Sequence, residues 1–442
     1  MIESGHKITQ GRLRVQTKKW IIPFLFIVLG SIAKDCGAQT YFPPLIGNTW
    51  EQEAYADFPY DSTFTDSLLS FLDSRNTKAF IVVHNGRIVN ESYFGTFGAD
   101  SFWYWASAGK SLSSFLCAQA RDQGILNASA PVAQYLGNQW SSCTPEQETE
   151  IKVWNLLSMT SGLDPSVPDP DCTDPSCLKY KGAPGTLWYY HNAPYYLSHQ
   201  VLEAASGKSL QSYMTQNLSS RTGITGLWAG TLFISKARSA ARFGHLMLNQ
   251  GIWNGDTLIR KKDFFDSLVI SSQNLNPAYG LLVWLNGKDT LMLPGSSLRL
   301  PGKLNTEAPD DMYACLGKND QKIYVVPSQN LVIVRLGEDA GDGLFGPSAF
   351  DALLWKHINR WRQVPTGWQR IETEARPYPN PCDQWLQLSD EVTSFRVFGL
   401  DGKVYLSGTE SQINTGGLPS GYYILEAETP SGPVHAKIQV QH

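Results

Sequence analysis

Ser107-Ala108-Gly109-Lys110 places a hydroxyl and an amine three residues apart. At the start of a helix this spacing puts both side chains on one face, where the amine can reach the hydroxyl it would deprotonate. The chemistry implied is attack by an activated serine on a carbonyl carbon. The spacing alone says little, because about one or two such matches arise by chance in a chain of this length. Ser176-Cys177-Leu178-Lys179 is such a match, but it follows Pro175 in a loop rich in Pro and Asp, and no helix holds its pair in register. After Ser107, by contrast, Leu112, Phe115, Leu116 and Ala120 recur at the spacing of one buried helical face, and Gly124 ends the run. Ser107 is therefore expected on a rigid support, with Cys117 a small core residue of the same helix.

A serine nucleophile needs a base, and it needs donors aimed at the oxyanion that forms on attack. The chain has no Gly-Xaa-Ser-Xaa-Gly elbow, and its eight histidines include no pair at metal-ligand spacing. The cysteines and histidines match no zinc pattern, so neither a metal nor a cofactor is expected. The second informative stretch is Gly182 to Gln200, which contains Pro184-Gly185-Thr186 and then Tyr190-His191-Asn192. Together with Ser107-Xaa-Xaa-Lys110 it resembles the superfamily of class C β-lactamases, penicillin-binding esterases and 6-aminohexanoate-dimer hydrolases. Trp154 to Leu163, Arg242 to Trp253 and Ala308 to Leu336 add to the resemblance, which runs collinearly over roughly residues 75 to 340. Each motif is weak alone; their order is specific. Tyr378-Pro379-Asn380 repeats the Tyr-Xaa-Asn spacing but lies after the last expected strand of this region.

The resemblance implies an acyl-enzyme on Ser107. Lys110 and Tyr190 would share the proton of the serine and that of the leaving group, either of them serving as base, and Asn192 would orient Lys110 or the substrate. The family's third motif, Lys-Thr-Gly or His-Xaa-Gly, is matched by Cys315-Leu316-Gly317, which lacks the cationic or imidazole side chain that helps to hold a β-lactam carboxylate. Gly317 keeps the close backbone approach, and the amide of Lys318 would join that of Ser107 as the oxyanion hole. Cys315 is expected as a small strand residue. The expected substrate is a small ester, amide or short peptide; a β-lactamase, a D-Ala peptidase and a non-catalytic surface binder are the alternatives. Trp103, Tyr104, Trp105, Trp188, Tyr189 and Tyr195 flank the motifs and would line a cleft or fill the core. Asp310 and Asp311 would face the cleft or serve as turn residues.

The elements that must position these residues can be read in outline. Ala79 to Val83 and Ile88 to Phe94 flank Asn85-Gly86, the dipeptide best suited to a tight hairpin. Helical patterns follow at Val153 to Met159, Ala193 to Ala205, Leu210 to Asn217 and Ala237 to Asn249. Strand patterns return at Tyr279 to Leu285, before Asn286-Gly287, another hairpin dipeptide, and at Ile323 to Val326 and Leu331 to Leu336. The expected fold is α+β, an antiparallel sheet built from both ends of residues 39–365, flanked by helices and enclosing a helical insert, as in the β-lactamase/transpeptidase-like fold.

The 442 residues are 42% hydrophobic, enough for a sizeable core and a second module, and a net charge of −4 without basic patches argues against nucleic acid. Lys7 to Lys19 supply positive charge ahead of an apolar run from Trp20 to Ala33, which reads as a signal peptide ending near Ala38, shorter than a membrane span. A retained anchor is the alternative. An exported chain permits disulfides, and Cys172 and Cys177 form the most economical pair. Residues 376–442, after the hinge Arg376-Pro377-Tyr378-Pro379-Asn380-Pro381, carry short strand patterns with regular turns, suggesting a small β-sandwich. Its Tyr378 to Pro381, Val397 to Lys403 and Leu418 to Tyr423 segments resemble the C-terminal sorting domain of type IX secretion. That resemblance implies recognition by the secretion machinery and passage through the periplasm to the cell surface or medium, with the module removed or used for attachment.

Overall fold

The structure is a computed structural model describing residues 40–341, 347–362, 380–388, 392–399, 403–429 and 432–442. The expected signal peptide, the hinge residues up to Pro379, and Leu400, Asp401 and Gly402 lie outside the described residues. Among the described residues no helix is long and apolar enough to cross a membrane.

Thr77–His84 (β1) and Arg87–Tyr93 (β2) form the expected hairpin. It turns on Asn85 at φ 49° and Gly86 at φ 85°, the two successive left-handed residues that match the twist of the flanking strands. A side chain on residue 86 would also meet the Tyr41 carbonyl at 1.8 Å. The helical region that follows contains Gly109–Asp122 (α1), Asn192–Ser206 (α2) and Ala237–Leu248 (α3). The chain then returns through Trp284–Leu285 (β3), Tyr313–Gly317 (β4), Gln321–Val326 (β5) and Leu331–Gly337 (β6), followed by helix Ala349–Trp361 (α4).

The six strands form one antiparallel sheet in the order β2-β1-β6-β5-β4-β3. The β1/β6 pairing, with Ile81 opposite Val334, joins the two halves of the chain. Both faces are covered, which is why β4, β5 and β6 are buried at every residue instead of alternating. Neighbouring residues of a strand point to opposite faces. Tyr324 meets the Trp355 ring of α4 at 5.8 Å, while Val332, paired with Val325, meets Gly244 of α3. A methyl group on Gly244 would lie 2.4 Å from Val332, so the glycine sets how closely α3 sits on the sheet.

One strand is shorter than its pattern predicts. Tyr279 to Leu285 folds into a tight turn, with the Gly280 amide donating to the Val283 carbonyl and Leu282 at φ 56°, so that only Trp284–Leu285 pairs as β3. The Asn286 side chain then donates to the carbonyls of Asn305, Ala308 and Pro309, which anchors the following loop instead of making a hairpin.

The C-terminal strands form a two-stranded sheet, Trp385–Gln387 with Gln412–Asn414, and a four-stranded one in which Ser394–Gly399 and Gly421–Thr429 are central. Leu386, Val397, Ile413, Leu425 and Ile438 make a hydrophobic core separate from the one around the main sheet.

Candidate active site

Ser107 sits in a single 3₁₀ turn, Ala106–Ala108, that leads directly into α1. Ala106 is held at φ 46°, a left-handed conformation that costs a non-glycine residue energy and needs firm support. The support is Trp105, fully buried, whose amide donates to the Phe233 carbonyl at 2.9 Å and whose indole donates to Ser235 Oγ at 2.8 Å. Gly317 at the end of β4 presses on the same turn: a Cβ there would lie 2.4 Å from the Trp105 carbonyl and 3.0 Å from the Ala108 nitrogen. The two segments carrying the expected oxyanion donors, Ser107 and Lys318, are thus packed backbone to backbone. Beyond Lys318, Asn319 and Asp320 are left-handed, and the Gln321 amide donates to the Lys318, Asn319 and Gly337 carbonyls, clamping the turn.

Lys110, the second residue of α1 and 3% exposed, donates to Ser107 Oγ at 3.0 Å. Burial pulls its ammonium down to about 7, against the Asp171 carboxylate, whose charge favours the protonated form. The amine also lies 4.4 Å from the Tyr195 ring centre and 5.1 Å from that of Tyr190. An amine that is half neutral near pH 7 and in contact with a hydroxyl can remove its proton.

Tyr190 is partly exposed by surface area, yet its hydroxyl is well enough screened that burial raises its pKa, with the Ser107 side chain acting in the opposite sense. It is a phenol and not a phenolate, stacked at 5.9 Å on the Trp284 ring of β3. Asn192, the first residue of α2, does not point its amide nitrogen at Lys110; it donates to Asp171 Oδ1 at 2.8 Å, and its own Oδ1 is buried without a hydrogen-bond partner. Asp171 directly precedes a small disulfide loop, Cys172–Cys177, with Cα atoms 5.9 Å apart. Of the decoy pair, Ser176 is exposed within that loop and Lys179 is exposed just beyond it.

In the third motif, Cys315 and Leu316 are buried and no cationic side chain occupies either position. Burial lifts the Cys315 thiol to about 12, with the nearby Ser111 hydroxyl as an opposing influence, so it is an inert strand residue and not a nucleophile. Trp105, Trp188 and Tyr195 belong to the core, whereas Trp103, Tyr104 and Tyr189 are partly exposed; Tyr104 accepts a 2.7 Å hydrogen bond from Asn319 just past the motif. Asp310 is paired with Lys303 and Asp311 caps Ser328, so both act in turns. Among the described residues no three His, Cys, Asp or Glu side chains converge as a metal site would require.

Sequence reasoning missed two members of the site. Asp171 carried no motif, and only its place beside Cys172 hinted that it would be held still. Tyr195, noted only as a flanking aromatic, sits over Lys110 because it follows Tyr190 onto the first turn of α2. Behind it, His199 lies 2.7 Å from Ser113 Oγ, and burial first and the Lys110 charge second lower its pKa to about 3.

Residues 71–246 match the family model described as Beta-lactamase. An uncharacterized protein of Alkalihalophilus pseudofirmus is 24% identical over 326 residues, covering 64% of this chain and 88% of its own. A structure described as a β-lactamase from Bacteroides dorei superposes with TM-score 0.54 at 18% identity, over 69% of this chain and 99% of that one. A structure described as a 6-aminohexanoate-dimer hydrolase from Bacillus anthracis gives TM-score 0.54 at 17% identity, over 74% and 91%. These likenesses establish the β-lactamase/transpeptidase-like fold, and the family match spans the segments that carry Ser107, Lys110 and Tyr190.

Proposed function

We propose that this chain is an exported serine hydrolase that cleaves an ester or amide bond through an acyl-enzyme on Ser107. The observation that carries this reading is the 3.0 Å contact between Ser107 Oγ and a buried Lys110 whose pKa is drawn down to about 7. Neutral Lys110 removes the serine proton as Oγ adds to the substrate carbonyl, and the amides of Ser107 and Lys318 receive the oxyanion. Tyr190, kept as a phenol, hands a proton to the departing alcohol or amine and is reprotonated from Lys110. Water then repeats the sequence on the acyl group and frees the serine.

Lys110, and not Tyr190, is the base in this reading, because burial pushes the amine toward its neutral form and the phenol away from phenolate. Asn192 acts at one remove, by holding Asp171 near Lys110. The absence of a cation at Cys315 and Leu316 favours esters and uncharged amides over β-lactams. The description of the Bacillus anthracis structure as a 6-aminohexanoate-dimer hydrolase supports the amide half of that range.

The N-terminal segment is proposed as a signal peptide and residues 376–442 as a sorting module for type IX secretion, which would deliver the enzyme to the cell surface or medium. The experiment is a substrate panel of p-nitrophenyl butyrate, a 6-aminohexanoate dimer, a D-Ala-D-Ala peptide and a chromogenic cephalosporin, run with wild type and Ser107→Ala. Turnover of the ester or the dimer that vanishes in the variant is expected. Rapid hydrolysis of the cephalosporin or the peptide would replace this substrate class, and turnover of none would leave a binding protein.

A further inference from the structure

When a serine oxygen adds to a carbonyl carbon, the carbonyl π pair moves to its oxygen and the serine proton passes to the base, here the lone pair of Lys110 Nζ. The product is an ammonium inside the protein. Lys110 is 3% exposed, and among the described residues the one hydrogen-bond partner of Nζ is Ser107 Oγ at 3.0 Å, which becomes a poorer acceptor once it is bonded to carbon. A buried charge without good partners is costly, so something else must hold this one.

The Asp171 carboxylate favours the charged amine through its field. From α2, Tyr195 offers the face of its ring: Nζ lies over it, 4.4 Å from the centre, and the tyrosine is itself only 2% exposed. An aromatic face attracts a cation within about 6 Å, most strongly where water is excluded. The Tyr190 ring is farther, at 5.1 Å, and partly exposed. Tyr195 is also held in place. Its hydroxyl donates to the Thr231 carbonyl at 3.4 Å and lies 3.4 Å from Ser113 Oγ, which is 2.7 Å from His199 Nε2. The His199 and Tyr195 rings meet edge to face at 4.7 Å.

The other titratable groups of this region stay neutral. Burial, and after it the Lys110 charge, draws His199 down to about 3; burial also keeps Tyr190, Tyr195, Tyr196 and Tyr279 as phenols and lifts the Cys117 and Cys315 thiols to about 12. Lys110 is therefore the group that takes up a proton there near neutral pH. We propose that Tyr195 is a positioning residue for acyl transfer, its ring face holding the positive charge that Lys110 acquires with the Ser107 proton. The assignment rests on Ser107 being the acyl nucleophile and Lys110 its base.

The test is the pH dependence of fluorophosphonate labelling at Ser107 in wild type, in Tyr195→Phe, in Tyr195→Leu and in a chain carrying pentafluorophenylalanine at position 195. Fluorination keeps the outline of the phenyl ring and reverses the electrostatic sign of its face, so its comparison with Tyr195→Phe decides the matter whatever Tyr195→Leu does to folding. Removing a group that favours the ammonium lowers the amine's pKa. Tyr195→Phe is expected to keep the wild-type midpoint near 7, whereas the fluorinated ring and Tyr195→Leu are expected to move it down by about one pH unit. A midpoint that the fluorinated ring leaves in place or raises would overturn the role of Tyr195 and leave the charge to Asp171. Absence of labelling in wild type, or a wild-type rate independent of pH, would overturn the serine and lysine reading itself, and the role of Tyr195 with it.

Discussion

In the proposed mechanism Lys110 is the residue on which the chemistry turns, because its neutral form must coexist with a protonated Tyr190. With a pKa near 7, the amine is protonated and unable to accept the serine proton below that value, so kcat/KM should rise with pH to a midpoint near 7 and then level off. A flat profile from pH 5 to 9 would contradict this. Lys110→Met should cost about 10²- to 10⁴-fold in kcat/KM. Asp171 favours the charged amine, so Asp171→Asn should move the midpoint to lower pH, while the new amide oxygen can still accept from Asn192. A midpoint that rises or stays in place would show that the carboxylate does not act on Lys110. The Ser107 and Lys110 pair was legible in the sequence because both residues belong to one helical turn. Asp171 and Tyr195 were not, because the contacts that bring them to Lys110 depend on a disulfide loop and on the docking of α2, neither of which has a local pattern.

At the scale of elements, the site is a junction between the 3₁₀ turn before α1 and the end of β4. Gly317 is the point of closest approach, and the Trp105 carbonyl it meets is fixed by a buried indole, so neither side has room to yield. Gly317→Ala should lower unfolding free energy by about 1–3 kcal/mol in a denaturant titration. It should reduce kcat by a further 10²- to 10³-fold, roughly the loss of one oxyanion donor, as the Lys318 amide is displaced. A variant with wild-type kcat would break the link between this contact and the oxyanion hole. The Asn85-Gly86 hairpin was readable because its turn chemistry is local. The stretch from Tyr279 to Leu285 misled because its nearly continuous apolar run resembles a buried strand, whereas Gly280 is pressed against the Leu268 carbonyl, at 2.1 Å from where a Cβ would stand, and the chain turns back.

For the whole molecule, the two separate hydrophobic cores imply that the proposed hydrolysis and the proposed delivery are separable. A chain ending at residue 365 should keep kcat/KM on the ester substrate within about twofold of the full chain. In a host with type IX machinery it should stay in the periplasm while the full chain reaches the surface or medium. Equal distribution of both chains would remove the sorting role from residues 376–442. The α+β architecture could be read from hairpin signals at both ends of a helical region, and the C-terminal sheets from their evenly spaced turns. One sheet built from both ends was expected; what no pattern disclosed was that β1 and β6 are the strands that meet to close it.

The central claim is that Ser107 carries the acyl group, and intact-protein mass measurement with a fluorophosphonate tests it most directly. Wild type should gain one phosphonyl adduct, mapped to the peptide containing Ser107, with a labelling rate that follows the same midpoint near pH 7 as hydrolysis. Ser107→Ala should gain none. An adduct on Ser176 or any other residue, or labelling that persists in Ser107→Ala, would contradict the account.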